Sequence, residues 1–382
     1  MKVLITTDTY SNAINGVVTS ITALVNELEK RGHEVKILTL SEHTHSYNDG
    51  NVYCVRSMPV GVYPKARMTF AYNHRFVDEL IEWKPDIIHS QCELFSMPYA
   101  NKISKLTDAP IVHTYHTIYE EYVKYVGFDA KNGKRMVAYL SRERLKHVSA
   151  IIAPTKKTEN VLKSYRIKKD IAVVPTGIPI EKFRERITEE ERSKMRNDLG
   201  IFDDNFLLVY LGRIGTEKKI DEVLKLFAKA RETNKKLMFL IVGDGPSKGD
   251  FERLAESLGV ADSVVFTGMI DHDLVNKHYQ LGDIFVSGST SETQGLTYIE
   301  AAANGLPLLC RKDPCLENVI FQGENGFQYE NDEEFFEFLS RCYDDNWRKT
   351  ASEKSQKTAE AFSQTNFGDA IERVYASVLE NE

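Results

Sequence analysis

The order of strand-like and helix-like segments constrains the fold of this 382-residue chain more than any other feature of its sequence. An apolar strand at residues 2–6 is followed by a loop, by an amphipathic helix that ends at Gly32, and by a second strand at residues 33–40. Residues 179–204 are highly charged and predict a linker with a short helix, and the same order then begins again with a strand at residues 206–211. Strands that alternate with helices in this way build parallel sheets with helices on both faces. Because 382 residues exceed one ordinary core, we predict an α/β protein with two doubly wound domains.

Further apolar runs predict the remaining strands of both sheets. They lie at residues 52–55, 87–89, 111–113, 151–153 and 171–174 in the first half and at residues 237–242, 264–266, 284–286 and 308–310 in the second. Asn325-Gly326-Phe327 is typical of a turn, and Phe367, Ile371, Val374 and Val378 have helical spacing. The expected domains are therefore residues 1–178, residues 179–361, and a C-terminal helix at residues 362–382 that packs back on the first domain.

Composition excludes several classes of protein. No apolar run approaches the ~18 residues that a membrane-spanning helix needs, and the first residues form a strand without the pattern of a signal peptide. The five cysteines are odd in number and lack metal-ligand spacing, so we expect a reducing cytoplasm, no disulfide framework and no metal site. No GxGxxG fingerprint follows the first strand, which counts against a classical dehydrogenase.

Charge is distributed unevenly between the two halves. Up to Ile178 the chain has 24 Lys and Arg against 18 Asp and Glu, and the remainder has 25 against 38. A basic half joined to an acidic half indicates that one domain meets an anionic partner. Ordinary scatter of surface charge explains the same numbers equally well.

The segment from Gly288 to Gly305 contains the strongest candidate site. It follows the apolar strand at residues 284–286, and residues 296–303 form a predicted helix closed by Gly305. Glu292 then lies in the loop before the helix, and Glu300 lies inside it. A helix N-terminus offers free N–H groups to a phosphate or a sugar, and two carboxylates can accept hydrogen bonds from diols. A capped helix with two surface glutamates is the plain alternative.

Other loops that follow strands contain polar residues or glycine suited to ligand binding. Arg213 and Lys218, five residues apart, can reach one diphosphate, although flexible surface bases have the same spacing. Gly16, at the start of the first helix, admits either a phosphate or an ordinary turn. His116, just past the strand at residues 111–113, is a candidate for hydrogen bonding a substrate hydroxyl.

The predicted helix at residues 131–148 has two unlike faces. Its apolar face contains Val137, Leu140, Leu145 and Val148, which we expect to pack on the domain. Its opposite face contains Lys131, Arg135, Arg142 and Lys146. Such a stripe suits anionic lipid headgroups, at about 1 kcal/mol for each base, and it equally suits a solvated helix face. Upstream aromatic residues, including Tyr119 and Tyr122, are candidates for an acceptor cleft or for the core.

Six short motifs, in this order, resemble the retaining glycosyltransferases of family 4. They are Asn15-Gly16-Val17, Tyr115-His116-Thr117, PTGI at residues 175–178, GRxxxEK at residues 212–218, VGDGP at residues 242–246, and the pair Glu292 and Glu300. The resemblance covers nearly the whole chain and is greatest to the bacterial glucosyl- and galactosyl-diacylglycerol synthases. It implies the GT-B architecture, in which two Rossmann-like domains face each other and a C-terminal helix crosses back. Lys219 stands where the family often has glycine.

The resemblance also implies a role for each matching residue. Arg213 and Lys218 hold the donor diphosphate, Glu300 accepts hydrogen bonds from the ribose, and Glu292 with His116 serves the transferred sugar. Further donor-binding residues are implied at Gly16, Gly243, Gly245, Gln294, Gly295, Leu296 and Thr297. The resemblance implies no covalent nucleophile, and no cofactor is required because basic side chains meet the phosphate charge, so a divalent cation is expected to be at most stimulatory.

The expected enzyme is a hexosyltransferase that moves a hexose, most simply glucose, from a UDP-sugar to diacylglycerol or a glycosyl-diacylglycerol. We expect it to act in the cytoplasm, bound peripherally to the inner face of the membrane, without nucleic acid. Three alternatives stay open: a saccharide or polyprenyl-linked acceptor, a non-catalytic module that binds a nucleotide-sugar, and a UDP-sugar epimerase, which the Glu pair and GRxxxEK fit poorly. The sequence leaves the choice between glucose and galactose, the first or second sugar added, and the oligomeric state undecided.

Overall fold

The computed structural model describes residues 1–10, 15–60, 67–121 and 130–380. The chain divides into two compact units. Unit 1 comprises Met1–Gly177 and Gln364–Glu382, and unit 2 comprises Ile178–Ser363. The sequence placed the corresponding changes after residue 178 and after residue 361.

Unit 1 is built around an eight-stranded sheet. The strands of unit 1, which include a separate antiparallel pair of β5 and β6, are in chain order β1 (Lys2–Thr6), β2 (Glu34–Leu40), β3 (Tyr47–Asp49), β4 (Val52–Val55), β5 (Met58–Pro59), β6 (Arg67–Met68), β7 (Ile87–Ser90), β8 (Ile111–Thr114), β9 (Ala150–Ala153) and β10 (Ile171–Val173). The spatial order is β10-β9-β8-β7-β1-β2-β4-β3, and all pairs are parallel except β3 with β4. Its helices before the second unit are α1 (Gly16–Lys30), α2 (Arg75–Trp83), α3 (Met97–Thr107), α4 (Ala130–Leu145) and α5 (Lys156–Ser164).

Unit 2 is built around a six-stranded parallel sheet. Its strands are β11 (Phe206–Leu211), β12 (Leu237–Val242), β13 (Val264–Gly268), β14 (Ile284–Ser287), β15 (Leu308–Arg311) and β16 (Gly326–Tyr329). Their order is β13-β12-β11-β14-β15-β16, the doubly wound arrangement in which the chain direction across the sheet reverses between β11 and β14. Its helices are α6 (Ile180–Arg184), α7 (Glu189–Asp198), α8 (Ile220–Thr233), α9 (Lys248–Ser257), α10 (Val275–Leu281), α11 (Leu296–Ala303), α12 (Asp332–Cys342) and α13 (Asp345–Ala359).

The central strands of both sheets are buried on both faces, which explains their near-continuous apolar sequences. In β1, Leu4 packs into one core of unit 1, and Val3 and Ile5 pack into the core on the other face. In unit 2, all six residues of β12 are buried. Alternate residues of one strand thus serve two cores, and an uninterrupted apolar run satisfies both. The α/β prediction is confirmed.

The last helix, α14 (Gln364–Glu380), belongs to unit 1 and packs against α1. Phe367, Ile371 and Val378 are buried in the same core as Val3 and Ile5 of β1. Arg31 donates to Glu372 at 2.7 Å, so an ion pair adds to the apolar contact. The helical spacing of the tail therefore reflects a helix that completes a core of unit 1.

Three parts of the structure differ from the sequence prediction. The charged connection, predicted as a linker with one short helix, forms two helices, α6 and α7, and Arg196 of α7 is fully buried, with its guanidinium donating to the carbonyls of Leu281, Phe202 and Asn205. Gly326 begins β16 beside Leu308, so the predicted turn at residues 325–327 is wrong in its second half.

The buried face of α4 also differs from the prediction, because Leu140 is 44% exposed, whereas Val137 and Leu145 are buried. The buried stripe of α4 instead recurs every four residues, at Gly133, Val137, Ser141 and Leu145.

Within the residues that the structure describes, no helix has the length and apolar character to cross a bilayer.

Candidate active site

The loops at the carboxyl ends of β11 and β14 contain three of the charged residues predicted from the sequence, Arg213, Lys218 and Glu292. β11 and β14 are neighbours in the sheet, and the chain leaves them in opposite directions across it. In open α/β sheets, ligands bind outside the carboxyl ends of the strands at such a switch point. The fold therefore brings residues 212–219 and residues 288–295 to the edge of unit 2 where a ligand is expected.

Lys218 and Glu292 meet in this position. The Lys218 Nζ donates to Glu292 Oε1 at 2.5 Å, and both side chains are less than one-fifth exposed. Ser289 Oγ donates to the same oxygen at 3.0 Å. Sequence reasoning assigned Lys218 and Glu292 to different parts of the donor, and the structure pairs them directly.

Arg213 is held at the start of the same loop. Its guanidinium forms an ion pair with Glu217, and Tyr210 Oη donates to the Arg213 carbonyl at 3.1 Å. The Arg213 side chain is 40% exposed, whereas Glu217 is nearly buried. Both predicted cations are therefore paired with carboxylates in this structure, and an entering dianion would compete with those carboxylates for the same N–H donors.

Two glycines of the loop after β12 are required by backbone packing. A Cβ on Gly243, whose φ is +130°, would lie 2.1 Å from the carbonyl oxygen of Gly212, and a Cβ on Gly245 would lie 2.2 Å from that of Ile214. The Ile214 N–H donates to the Asp244 carbonyl at 2.9 Å. The loops after β11 and β12 are thus joined through their main chains, and the fold itself demands both glycines.

Helix α11 begins at the same edge of unit 2. Gly295 is its N-cap residue, with a φ of +75°, and it offers no side chain to the first amide groups of the helix. A Cβ there would lie 2.3 Å from the Tyr298 ring. Gln294 is buried, and Leu296 and Thr297 are partly exposed at the first turn. The predicted helix bounds are confirmed, and its N-terminus presents N–H groups with a partial positive charge.

Glu300 is oriented by a residue that sequence reasoning missed. Tyr279 Oη, from α10, donates to Glu300 Oε2 at 2.8 Å. Burial raises the pKa of Glu300 above its ordinary value, although the Tyr279 hydrogen bond and nearby His272 act in the opposite direction. Only the packing of α10 beside α11 shows this contact, since no motif links the two residues.

In unit 1, His116 lies beyond the end of β8 with Gln91 from the end of the neighbouring β7. The His116 Nε2–H donates to Gln91 Oε1 at 2.7 Å, and Gln91 is buried. Burial lowers the pKa of His116 to about 4, so the imidazole is neutral near pH 7. A neutral ring offers one N–H donor and one acceptor nitrogen, and the Gln91 oxygen accepts the hydrogen bond from the N–H.

A second buried group lies next to this pair. Glu93 accepts from Tyr119 Oη at 2.6 Å, and His113 Nε2 lies 3.0 Å from its other oxygen. Burial raises the pKa of the Tyr119 phenol well above its ordinary value. Tyr115 is fully buried and belongs to the core, whereas Tyr122 lies outside the described residues.

Gly16 begins α1 after the N-cap Asn15, whose side chain accepts from the Val18 N–H at 2.9 Å. A Cβ on Gly16 would meet no atom within 4 Å. Nothing in the described part of unit 1 therefore requires glycine at this position, in contrast to Gly243 and Gly245.

The basic stripe of α4 is exposed but not uniform. Lys131 and Arg135 are exposed, Lys146 lies 3.0 Å from Glu143, and Arg142 donates to the Tyr165 carbonyl at 2.8 Å. Tyr139, which is 58% exposed, lies on the same side as these bases. The described residues contain no group of three or more His, Cys, Asp or Glu side chains suited to hold a metal ion.

Comparison with known proteins agrees with this geometry. The family described as Glycosyltransferase Family 4 matches residues 14–182, and the family described as Glycosyl transferases group 1 matches residues 191–361. The alpha-monoglucosyldiacylglycerol synthase of Streptococcus pneumoniae is 35% identical over 99% of this chain and 86% of its own length. This chain belongs to the family 4 glycosyltransferases.

Further relatives support the assignment of this chain to the glycosyltransferase family. The alpha-monoglucosyldiacylglycerol synthase of Acholeplasma laidlawii is 28% identical over 100% of this chain and 98% of its own length. Sucrose-phosphate synthase from Thermosynechococcus elongatus has a TM-score of 0.78 at 18% identity, with all of both chains covered. The Anabaena protein HepE, solved with UDP and glucose, has a TM-score of 0.76 at 18% identity, covering 99% of this chain and 100% of its own. The two solved structures confirm the GT-B fold class.

Proposed function

We propose that this enzyme transfers glucose from UDP-glucose, with retention of configuration, to diacylglycerol or a glycosyl-diacylglycerol. The observation that carries the proposal is the joining of Lys218 and Glu292 at the switch point of unit 2, beside the N-terminus of α11. The names of the Streptococcus and Acholeplasma relatives, which match over most of their lengths, support the lipid acceptor.

Basic residues bind the diphosphate of the sugar donor, and acidic residues bind its ribose and hexose. Arg213 and Lys218 bind the diphosphate and stabilise the charge that develops on the leaving group, which is the largest electrostatic demand of the reaction. The N–H groups at the start of α11 add donors without adding a movable side chain. Glu300, held by Tyr279, accepts hydrogen bonds from the ribose, and Glu292 with the backbone of Gln294 to Leu296 holds the hexose hydroxyls.

The chemistry needs no protein nucleophile. The bond between C1 of glucose and the β-phosphate oxygen breaks, and the acceptor oxygen bonds to C1 on the same face. The acceptor proton passes to the departing phosphate oxygen. Positioning and stabilisation of the diphosphate and the oxocarbenium-like sugar therefore supply the catalysis. No metal is required in this scheme, because two basic side chains and a helix N-terminus meet the phosphate charge.

In unit 1, neutral His116 serves as a hydrogen-bond partner for the transferred sugar. Its acceptor nitrogen remains for a hydroxyl because the other nitrogen donates to Gln91. A pKa of about 4 means that no charge change on His116 interferes near pH 7. Tyr119, fixed by Glu93, contributes to acceptor binding.

We also propose that the enzyme binds peripherally to the anionic inner face of the cell membrane through α4. Arg135 and Lys146 supply positive charge for anionic headgroups. The exposed Tyr139 suits the membrane–water interface, because its ring is apolar and its hydroxyl can stay hydrated. Co-sedimentation with vesicles of rising phosphatidylglycerol content tests this. Charge reversal at Arg135 and Lys146 is expected to abolish most binding, whereas reversal of the exposed Lys349 and Lys357 of unit 2 is not. Equal effects of the two double variants would refute the assignment.

The reaction is tested by incubating the protein with labelled UDP-glucose or UDP-galactose over vesicles that contain diacylglycerol. A labelled glycolipid that forms from UDP-glucose is expected, and Lys218→Ala and Glu300→Ala should each remove most turnover. Product on an added saccharide but not on lipid would move the acceptor to that class. Absence of both transfer and donor hydrolysis would leave a non-catalytic nucleotide-sugar module.

A further inference from the structure

A second group of cationic side chains lies in unit 1, apart from His116 and from the α4 stripe. It lines an open cavity of about 380 Å³, formed by Thr44, His45, Ser46, Arg56, His74 and Arg75. This volume lies in the range of small-ligand sites. The lining combines two arginines and two histidines and includes no carboxylate. Such a composition selects anions.

The cavity lies at the carboxyl ends of two neighbouring strands of the unit 1 sheet. β2 and β4 are parallel neighbours, with Leu40 paired to Val55 at their carboxyl ends. The loop after β2 supplies Thr44, His45 and Ser46, and Arg56 follows β4 directly. Ligands of doubly wound sheets bind at this edge. The cavity therefore shares the functional edge of unit 1 but lies at different strands from His116.

Helix α2 begins at the cavity. His74 is its N-cap residue, and its Nδ1 accepts from the Phe76 N–H at 3.2 Å. Because Nδ1 accepts, the neutral ring carries its proton on Nε2, which is a donor for an anion. The helix adds a partial positive charge at the same end. Cavity composition, helix polarity and the His74 tautomer thus favour the same kind of ligand.

The two arginines are available for an anion. Arg56 is held through its backbone, since its N–H donates to Ser46 Oγ at 2.8 Å and its carbonyl accepts from Thr69 Oγ1 at 2.9 Å. The Arg75 guanidinium lies 5.2 Å from the centre of the Phe76 ring. Neither guanidinium forms an ion pair with a carboxylate in the described part of the chain, unlike Arg213 or Arg31. Arginine binds phosphate oxygens through a planar fork of donors.

Exposed apolar side chains lie near Arg56 and near its hydrogen-bond partner Thr69 in sequence. Phe70, next to Thr69, is 73% exposed, and Met58, two residues after Arg56, is 52% exposed. A free phosphate gains nothing from such neighbours, whereas the acyl region of a lipid does. We propose that this cavity binds a phosphate ester anion, the headgroup phosphate of an anionic phospholipid.

The test measures binding to the full chain without any sugar donor, so its outcome is independent of the glycosyl transfer proposed above. The probes are dihexanoyl phosphatidylglycerol below its micellar concentration, dihexanoyl phosphatidylcholine, and inorganic phosphate, each titrated by calorimetry. Saturable binding of the phosphatidylglycerol is expected, with affinity lowered at least tenfold in Arg56→Ala/Arg75→Ala. The control Lys168→Ala/Arg373→Ala removes two exposed charges elsewhere in unit 1 and should stay within twofold of wild type.

The remaining outcomes would either reassign the ligand or overturn the proposal. If inorganic phosphate binds as tightly as the lipid and loses the same affinity in the arginine variant, the cavity is an anion site for soluble phosphates and the lipid assignment is wrong. Equal binding of phosphatidylcholine, no saturable binding of either anion, or equal losses in both double variants would overturn the proposal. Thermal unfolding of each variant checks that the fold is retained.

A second readout uses the wild-type protein. Burial, Arg75 and Arg56 lower the pKa of His74, while Glu79 and Asp78 on the same helix raise it. A phosphate in the cavity should raise that pKa and shift the imidazole resonances of His74 and His45 in NMR spectra of the labelled protein. Resonances that do not move at saturating ligand would place binding elsewhere and refute the site.

Discussion

Replacing Lys218 by Met should separate the structural and catalytic roles of the Lys218–Glu292 pair. At 2.5 Å and an effective dielectric constant of about 20, the gross attraction is on the order of 7 kcal/mol, most of which offsets the cost of removing both charges from water. Loss of one partner from a fully buried pair costs about 3–5 kcal/mol. Because both side chains keep nearly one-fifth of their exposure, we expect about 2 kcal/mol for Lys218→Met.

The assay is thermal unfolding with a double-mutant cycle. For a unit of this size, about 2 kcal/mol corresponds to a midpoint lowered by roughly 4–8 °C. Adding Glu292→Gln should recover most of the loss, because the unpaired carboxylate is then neutral. Lys225→Met is the matched control, since its partner Asp221 is similarly close at 3.1 Å but both side chains are more than one-third exposed, so about 0.5 kcal/mol is expected.

Activity should not follow stability in these variants. Lys218→Met and the double variant should both lose roughly 10²–10³-fold in kcat, because neither supplies a cation to the diphosphate. Single-variant losses in stability that simply add in the double variant would refute the pairing. A double variant with wild-type turnover would refute the catalytic role of Lys218.

Four further predictions follow from the site geometry. Tyr279→Phe removes the hydrogen bond that lowers the pKa of Glu300, so that pKa should rise further, and the acid limb of kcat/KM for UDP-glucose should move to higher pH; an unmoved limb would contradict the role of Glu300. Gln91→Glu places a carboxylate on His116, which should raise the imidazole pKa from about 4 toward neutral in an NMR titration; a pKa that stays near 4 would show that the two side chains do not meet in solution. Gly295→Ala should cost about 1–3 kcal/mol in chemical unfolding, because a left-handed φ and a close tyrosine ring both oppose a Cβ; a loss below 0.5 kcal/mol would count against the loop geometry. Turnover in excess EDTA should remain within a few-fold of that in Mg²⁺, and its complete loss would show that the charge on the diphosphate is met by a metal.

The buried face of α4 differs from the one that its sequence predicts. A rotation of about 100° per residue predicts Leu140 on the buried face of α4, because it puts Leu140 within a right angle of Val137. The buried stripe instead recurs every four residues and inclines away from Leu140, since the neighbouring elements decide which side of a helix is covered. The short strand β3, with three exposed residues, gives no apolar signal because only backbone pairing with β4 defines it.

The sequence by itself determined the alternation of strands and helices, the two α/β units and the family. Those properties follow from local chemistry: apolar runs that serve two cores, glycines at left-handed turns, and short motifs whose order is visible in one dimension. Arg213, Lys218, Glu292 and Glu300 were likewise found as residues suited to a sugar nucleotide.

The tertiary structure alone decided which of these residues meet. Lys218 and Glu292 are 74 positions apart, and parallel pairing of β11 with β14 brings their loops together. The same kind of long-range packing gives Glu300 its tyrosine and gathers Arg56 with Arg75 around one cavity. Contacts of this kind depend on strand order, which no local pattern encodes, because each strand is apolar whichever neighbour it pairs with.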